Sequence, residues 1–149
     1  MTSKPRGPLK LCVMGIAQPQ GNHRVGRNAR IYDANKQLPS WRNAVQLEYR
    51  RSVCGWSTPE NPALIGAVEL EVVFHMPKPR SGTKRILPSV KPDLDKILRS
   101  TMDALTKVGA WEDDSRVVSI SARKVYMGME PGAVIEIRQV ADLQRKAEA

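Results

Sequence analysis

Asp93, Asp95, Asp103, Glu112, Asp113 and Asp114 fall within 22 residues of a chain whose preceding 92 residues hold only five acids. Carboxylates at that density repel one another unless a cation stands between them. Asp93 and Asp95 are two apart in the stretch Lys91-Pro92-Asp93-Leu94-Asp95. At such a loop-to-helix junction the backbone is still extended and alternate side chains point the same way, so both can reach one ion. Asp113 and Asp114 come one helix and one turn later. An antiparallel strand beginning there returns beside the strand that leads into the preceding loop, and three or four carboxylates then converge. Hard oxygen ligands with open water positions suit Mg²⁺, with Mn²⁺ able to substitute, and a metal so held activates water for phosphodiester hydrolysis.

The same residues have plainer uses. Asp95, Arg99, Asp103 and Lys107 are spaced by four, a helical stripe of alternating charge whose pairs contribute about 0.2–0.5 kcal/mol each. Asp93 or Asp95 can serve as an N-cap, and the Asp113-Asp114 pair as a turn. Spacing alone leaves a metal site and these local roles both open.

Charge along the chain names a partner. Residues 1–92 hold 15 Lys and Arg against 5 Asp and Glu, a net of +10, whereas residues 93–149 hold 9 against 10, a net of −1. The first basic segment, Gln20 to Arg30, has Arg24, Arg27 and Arg30 at every third position; the second, Met76 to Pro92, has Lys78, Arg80, Lys84, Arg85 and Lys91 with no acid. Such runs are either solvated loops or phosphate-binding surfaces, and at a net charge of +9 nucleic acid is the expected partner. The two cysteines, Cys12 and Cys54, have neither CxxC spacing nor a histidine cluster nearby, which excludes a zinc motif and a disulfide framework. There is no apolar run of membrane-spanning length and no signal-like apolar stretch in residues 1–10, so a cytoplasmic protein is expected.

The elements that must position these residues follow from periodicity. A strand is expected over Leu9 to Ile16, entering the first basic loop. A helix is expected from Pro39 to Cys54, and a second strand from Gly66 to His75, where Val68, Leu70, Val72 and Phe74 alternate with Glu69, Glu71 and Val73. Pro77, Pro79, Gly82, Pro88 and Pro92 keep the second basic segment irregular. Leu94, Ile97, Leu98, Thr101, Met102, Leu105 and Val108 recur at three and four and predict a helix that Gly109 stops. Val117 to Val125 and Ala133 to Val140 are expected to close the chain as a β-hairpin, with a polar tail over residues 141–149. The order β-α-β-α-β-β predicts a single α+β domain over residues 1–149, with one curved, mixed or antiparallel sheet and helices packed on one side.

KPDLDKILRSTMDAL, followed by the Trp111-Glu112-Asp113-Asp114 turn and Val117-Val118, resembles the RusA family of Holliday junction resolvases, whose signature is roughly KPDxDNLxKxxxDAL, a spacer, then DDxxV. GIAQPQGNHRVGR, Ile31-Tyr32-Asp33 and Trp41-Arg42 also look like the opening of RusA-like proteins from phages and prophages. The resemblance implies a Mg²⁺-dependent, homodimeric endonuclease that cuts four-way DNA junctions with paired symmetric nicks in recombination and repair. It also implies that Asp93 and Asp95 are the DxD metal ligands, that Asp114 is the third essential acid, and that Asp113 assists. The family's essential lysine falls at Arg99, a departure, and Lys96 lies one turn before it. Arginine neutralises phosphate charge but does not donate a proton as lysine does.

His23 and His75 are weaker candidates for bases, and Trp41, Trp56 and Trp111 read as core or dimer contacts. A non-cleaving, junction-binding protein of the same fold is the alternative that Arg99 keeps open. A DxD nucleotide-sugar transferase requires a larger, doubly wound domain that these residues do not pattern.

Overall fold

Alternating burial carries most of the architecture. The computed structural model describes residues 7–21, 23–29, 31–33, 35–56, 66–79, 84–126 and 130–140. Strands β1 (Leu9–Met14), β4 (Val68–Met76) and β6 (Gly132–Gln139) each turn one row of apolar side chains inward: Leu9, Leu11 and Val13; Val68, Leu70, Val72, Phe74 and Met76; Ala133, Ile135 and Ile137. Helices α1 (Leu38–Val53) and α2 (Leu94–Lys107) cover that face with Trp41, Val45 and Tyr49, and with Ile97, Ala104 and Leu105. Fully burying one such side chain contributes about 1.5–3 kcal/mol. The expected α+β order with helices on one side is what folds.

The sheet order is β1-β6-β4-β5, with β5 spanning Val117–Tyr126. β6 lies antiparallel to both β1 and β4, whereas β5 runs parallel to β4. The expected closing hairpin is therefore absent, and the strand after Asp114 is parallel, not antiparallel, to the strand that enters the second basic segment. The reason is the distribution of apolar surface. Ile135 and Ile137 need a central position, while β5 carries Ser119, Ser121, Arg123 and Lys124 and suits an edge. The chain reaches that edge from β4 through α2, the helical crossover that parallel neighbours require. Gly132 permits the close β1–β6 approach, since a Cβ there would collide with the Val13 carbonyl oxygen.

The first basic segment is more ordered than a loop. β2 (His23–Val25) pairs antiparallel with β3 (Ile31–Asp33), and the connecting turn places Asn28 at φ 64. Trp41 and Trp111 are buried and Trp56 packs against the core, as expected of structural tryptophans. Arg30, Arg80 and the polar tail at 141–149 lie outside the described residues. Among the described residues, no helix is long and apolar enough to cross a membrane.

Candidate active site

At the start of α2, Asp93 takes the N-cap position with extended backbone (φ −66, ψ 137), yet its side chain makes no capping hydrogen bond. Lys96 Nζ lies 3.8 Å from its Oδ2 instead. Asp95 is exposed in the first turn. Two carboxylates thus stand together without being consumed by local structure. Asp103 behaves otherwise: it accepts Lys107 at 3.2 Å, as the stripe predicts, and also Arg42 of α1 at 3.0 Å. Among the described residues Arg99 forms no ion pair, so the Asp95-Arg99-Asp103 part of the stripe is not made.

A cleft of about 370 Å³ opens at this end of the helix, lined by Ile16, Ala17, Gln18, Pro19, Asn35, Lys91, Pro92, Asp93 and Lys96. Its far wall is the loop after β1, bound to α2 through Ser100 Oγ donating to the Gln18 carbonyl at 2.6 Å and Gln20 N–H donating to the Lys96 carbonyl at 3.1 Å. Asn35 Nδ2 donates to Gln18 Oε1 at 3.0 Å and to the Pro19 carbonyl at 3.2 Å, and Arg42 Nη2 donates to Gln20 Oε1. A Cβ at Gly21 would stand 3.8 Å from Arg99 Nη1, so the guanidinium lies where the first basic segment leaves the helix. Sequence reasoning gave Gln18, Asn35 and Arg42 no such role. Their only signal was membership in the stretches GIAQPQGNH and Trp41-Arg42.

Lys78, Lys84, Arg85 and Lys91 are all exposed on the second basic segment, Arg27 is exposed on the first, and Arg24 has its backbone in β2. Lys124 of β5 ties the second segment down by donating from Nζ to the carbonyls of Val90 and Pro92, each at 2.8 Å. Lys91 and Lys96 then line the cleft beside Asp93, a concentration of positive charge suited to a phosphodiester backbone.

The other acids lie at the opposite end of α2. A Schellman turn ends the helix at Gly109 (φ +85), with Ala110 N–H donating to the Leu105 carbonyl at 2.9 Å and Gly109 N–H to the Thr106 carbonyl at 3.1 Å. Asp113 caps the short 3-10 turn over Asp114–Arg116, accepting from Ser115 N–H at 3.0 Å. Hydrogen bonding to the Ser115 side chain, then to its backbone, holds the Asp113 carboxyl below the usual carboxylate range. Asp114 Oδ1 accepts from Thr106 Oγ1 and, at 3.3 Å, from Trp111 Nε1. Eleven helical residues separate Asp95 from Thr106, about 16 Å along the axis at 1.5 Å per residue. Among the described residues no group of three or more His, Cys, Asp or Glu side chains could hold a metal ion. One chain alone therefore does not fit a three-carboxylate Mg²⁺ site: it brings Asp93 and Asp95 together and leaves Asp113 and Asp114 apart from them.

The sequence profile of the family described as Endodeoxyribonuclease RusA matches residues 15–138. The uncharacterized protein YqaN of Bacillus subtilis (strain 168) is 28% identical over 145 residues, which cover 89% of this chain and 97% of that protein. The profile match takes in both walls of the cleft, both ends of α2 and the strands that hold them. On that span, the chain belongs to the RusA family of endodeoxyribonucleases.

Proposed function

We propose that this protein is a Mg²⁺-dependent, structure-specific endodeoxyribonuclease that resolves four-way DNA junctions by paired symmetric phosphodiester cleavage, acting as a homodimer in recombination and repair. The observation that carries this is the start of α2, where Asp93 sits at the cap position with its carboxylate unused for capping, Asp95 stands beside it, and Lys91 and Lys96 flank them in a cleft. A structural pair of acids would be engaged by backbone N–H groups; these are not.

The surrounding residues take complementary parts. Lys78, Lys84, Arg85 and Lys91, with Arg24, Arg27 and Arg30 from the first segment, neutralise phosphates without reading bases, which gives salt-sensitive recognition of shape. Arg99 and Lys96 steady the negative charge that grows on the scissile phosphate. Gln18, Asn35 and Arg42 hold the opposing wall in place. A four-way junction has approximate two-fold symmetry, so paired cuts call for a two-fold enzyme.

A second reading, a junction-binding protein that does not cut, is favoured by two features: Arg99 in the lysine position and the separation of Asp114 from Asp93. One experiment decides. A labelled four-way junction is incubated with the protein in Mg²⁺, beside EDTA and linear-duplex controls. Symmetric nicks on the junction alone, abolished by EDTA, are the expected result; tight binding without nicks establishes the second reading.

A further inference from the structure

β5 is an edge strand of ten residues, paired with β4 on one side and with no described strand on the other. Val118 (64% exposed) and Ile120 (44%) lie on it. An edge of this length with exposed apolar side chains and no proline is a template for another strand, and proteins that leave one bare aggregate. What covers it is readable from charge. Glu112, Asp113 and Asp114 precede its first residue, and Arg123 and Lys124 stand near its end. An antiparallel pair of two such strands lays the acidic start of each against the basic end of the other, whereas a parallel pair sets acid against acid. The strand is therefore complementary to itself in the antiparallel sense, the property an isologous two-fold interface needs.

That pairing also bears on the divided acids. Because β5 runs parallel to β4 and α2 runs back between them, the end of β5 lies beside the start of α2. The Lys124 bonds to the carbonyls of Val90 and Pro92 fix this neighbourhood directly, one residue before Asp93. A two-fold axis through the middle of β5, near Ser121, carries the start of one strand to the end of its mate. The partner's Asp114 then arrives where Asp93 and Asp95 stand.

We infer that the protein dimerises by antiparallel pairing of β5 with β5 of a second copy, and that each metal site is shared, with Asp93 and Asp95 from one protomer and Asp114 from its partner. This rests on the metal-dependent nuclease reading above and explains why one chain alone assembles no three-carboxylate group. Both described bonds to Asp114 fall on Oδ1, so Oδ2 is its ligand atom. Asp113, engaged by Ser115, stays a turn former. A ten-residue strand spans about 33 Å, so the two sites stand roughly 30 Å apart at opposite ends of one continuous sheet, related by the same symmetry as the junction.

The test uses mixed dimers. Asp95→Asn and Asp114→Asn chains, separately tagged, are co-expressed and the heterodimer is purified; Mn²⁺ binding is read by electron paramagnetic resonance without DNA. In the shared arrangement one site of the heterodimer carries both substitutions and the other carries none. The heterodimer should keep about half the wild-type Mn²⁺ capacity at wild-type affinity, while each variant homodimer binds at least about tenfold more weakly for want of a carboxylate. With sites confined to one protomer, both sites of the heterodimer are damaged; a heterodimer without tight Mn²⁺ beside a wild-type protein that binds it overturns the sharing. In parallel, nitroxide labels on Ser121→Cys, in a Cys12→Ser, Cys54→Ser background, report the interface without any metal. Strands pairing about 4.8 Å apart put the two labels within roughly 20 Å, and a separation beyond about 40 Å, or a monomer in sedimentation, overturns the β5 pairing. Wild-type protein that binds no Mn²⁺ sinks the metal-dependent reading itself and the shared site with it.

Discussion

At the start of α2, Asp93 holds the N-cap position without using its carboxylate as a cap, whereas beyond the other end Asp113 and Asp114 have theirs tied to Ser115, Thr106 and Trp111. The residue types are the same and the acids belong to one cluster in the sequence, yet only the second pair is built into the fold. A carboxylate that takes part in a turn contributes to stability and is held in place; one that takes part in neither cap nor turn stands among like charges and basic neighbours for another reason. The two ends of the helix therefore separate a positioned acid from an available one, and substitution should tell them apart.

The largest expected effect is on cleavage at the available end. Asp95→Asn, and likewise Asp93→Asn, keeps the side-chain shape and removes the charge. Junction cleavage in Mg²⁺ should fall about a thousandfold, the upper scale for removing one group that stabilises a transition state. Junction affinity in EDTA should stay equal or tighten, because a carboxylate facing phosphate repels it. A gel-shift titration in EDTA beside a cleavage time course measures both. A folded Asp95→Asn protein that still cuts at the wild-type rate removes the distinction between the two ends.

Arg99 comes next. Its guanidinium lies against Gly21 and forms no ion pair among the described residues, so Arg99→Ala should leave folding unchanged and lower cleavage about a hundredfold, as loss of one charge-stabilising donor does. Arg99→Lys should retain or raise activity. Equal rates for all three proteins would shift the role to Lys96. A smaller effect is expected from the second basic segment. Lys84→Ala with Arg85→Ala should weaken junction binding and flatten its dependence on log salt by about 0.9 for each phosphate that is no longer neutralised. An unchanged slope would show that this segment does not touch the DNA.

Much of this was legible in the sequence because it is local. The three-and-four spacing from Leu94 to Val108, the stop at Gly109 and the alternation from Val68 to Phe74 each fix an element through its own residues, and α2 and β4 fold as read. The acids at 93 and 95 were also legible, since two residues of extended chain bring their side chains together. The position of Asp114 relative to them was not. It depends on whether β5 runs parallel or antiparallel to β4, and neither direction leaves a mark in the strand itself. The clue was comparative: Ser119, Ser121, Arg123 and Lys124 make β5 too polar for the centre of a sheet whose other strands carry Ile135, Ile137, Leu70 and Phe74. Gln18, Asn35 and Arg42 escaped notice because polar residues that brace a loop have no period.

The smallest effect divides the two ends by stability alone. Asp114→Ala removes the acceptor of Thr106 Oγ1 and of Trp111 Nε1, two groups that fasten the end of α2 to the turn before β5. Trp111 Nε1 keeps Thr106 Oγ1 at 2.7 Å, so the loss is that of a surface hydrogen bond, about 1 kcal/mol. Asp114→Asn retains an acceptor oxygen and should lose less. Asp93→Ala removes no capping bond, and its 3.8 Å approach to Lys96 is an exposed pair of the kind that contributes at most a few tenths of a kcal/mol; relief of repulsion from Asp95 offsets that. Chemical denaturation of the three variants beside wild type, without metal, should therefore order them with Asp114→Ala lowest, Asp114→Asn above it and Asp93→Ala level with wild type. Equal destabilisation by Asp93→Ala would mean that its carboxylate supports the helix after all, and the contrast between the two ends would then lie in their chemistry and not in how the fold holds them.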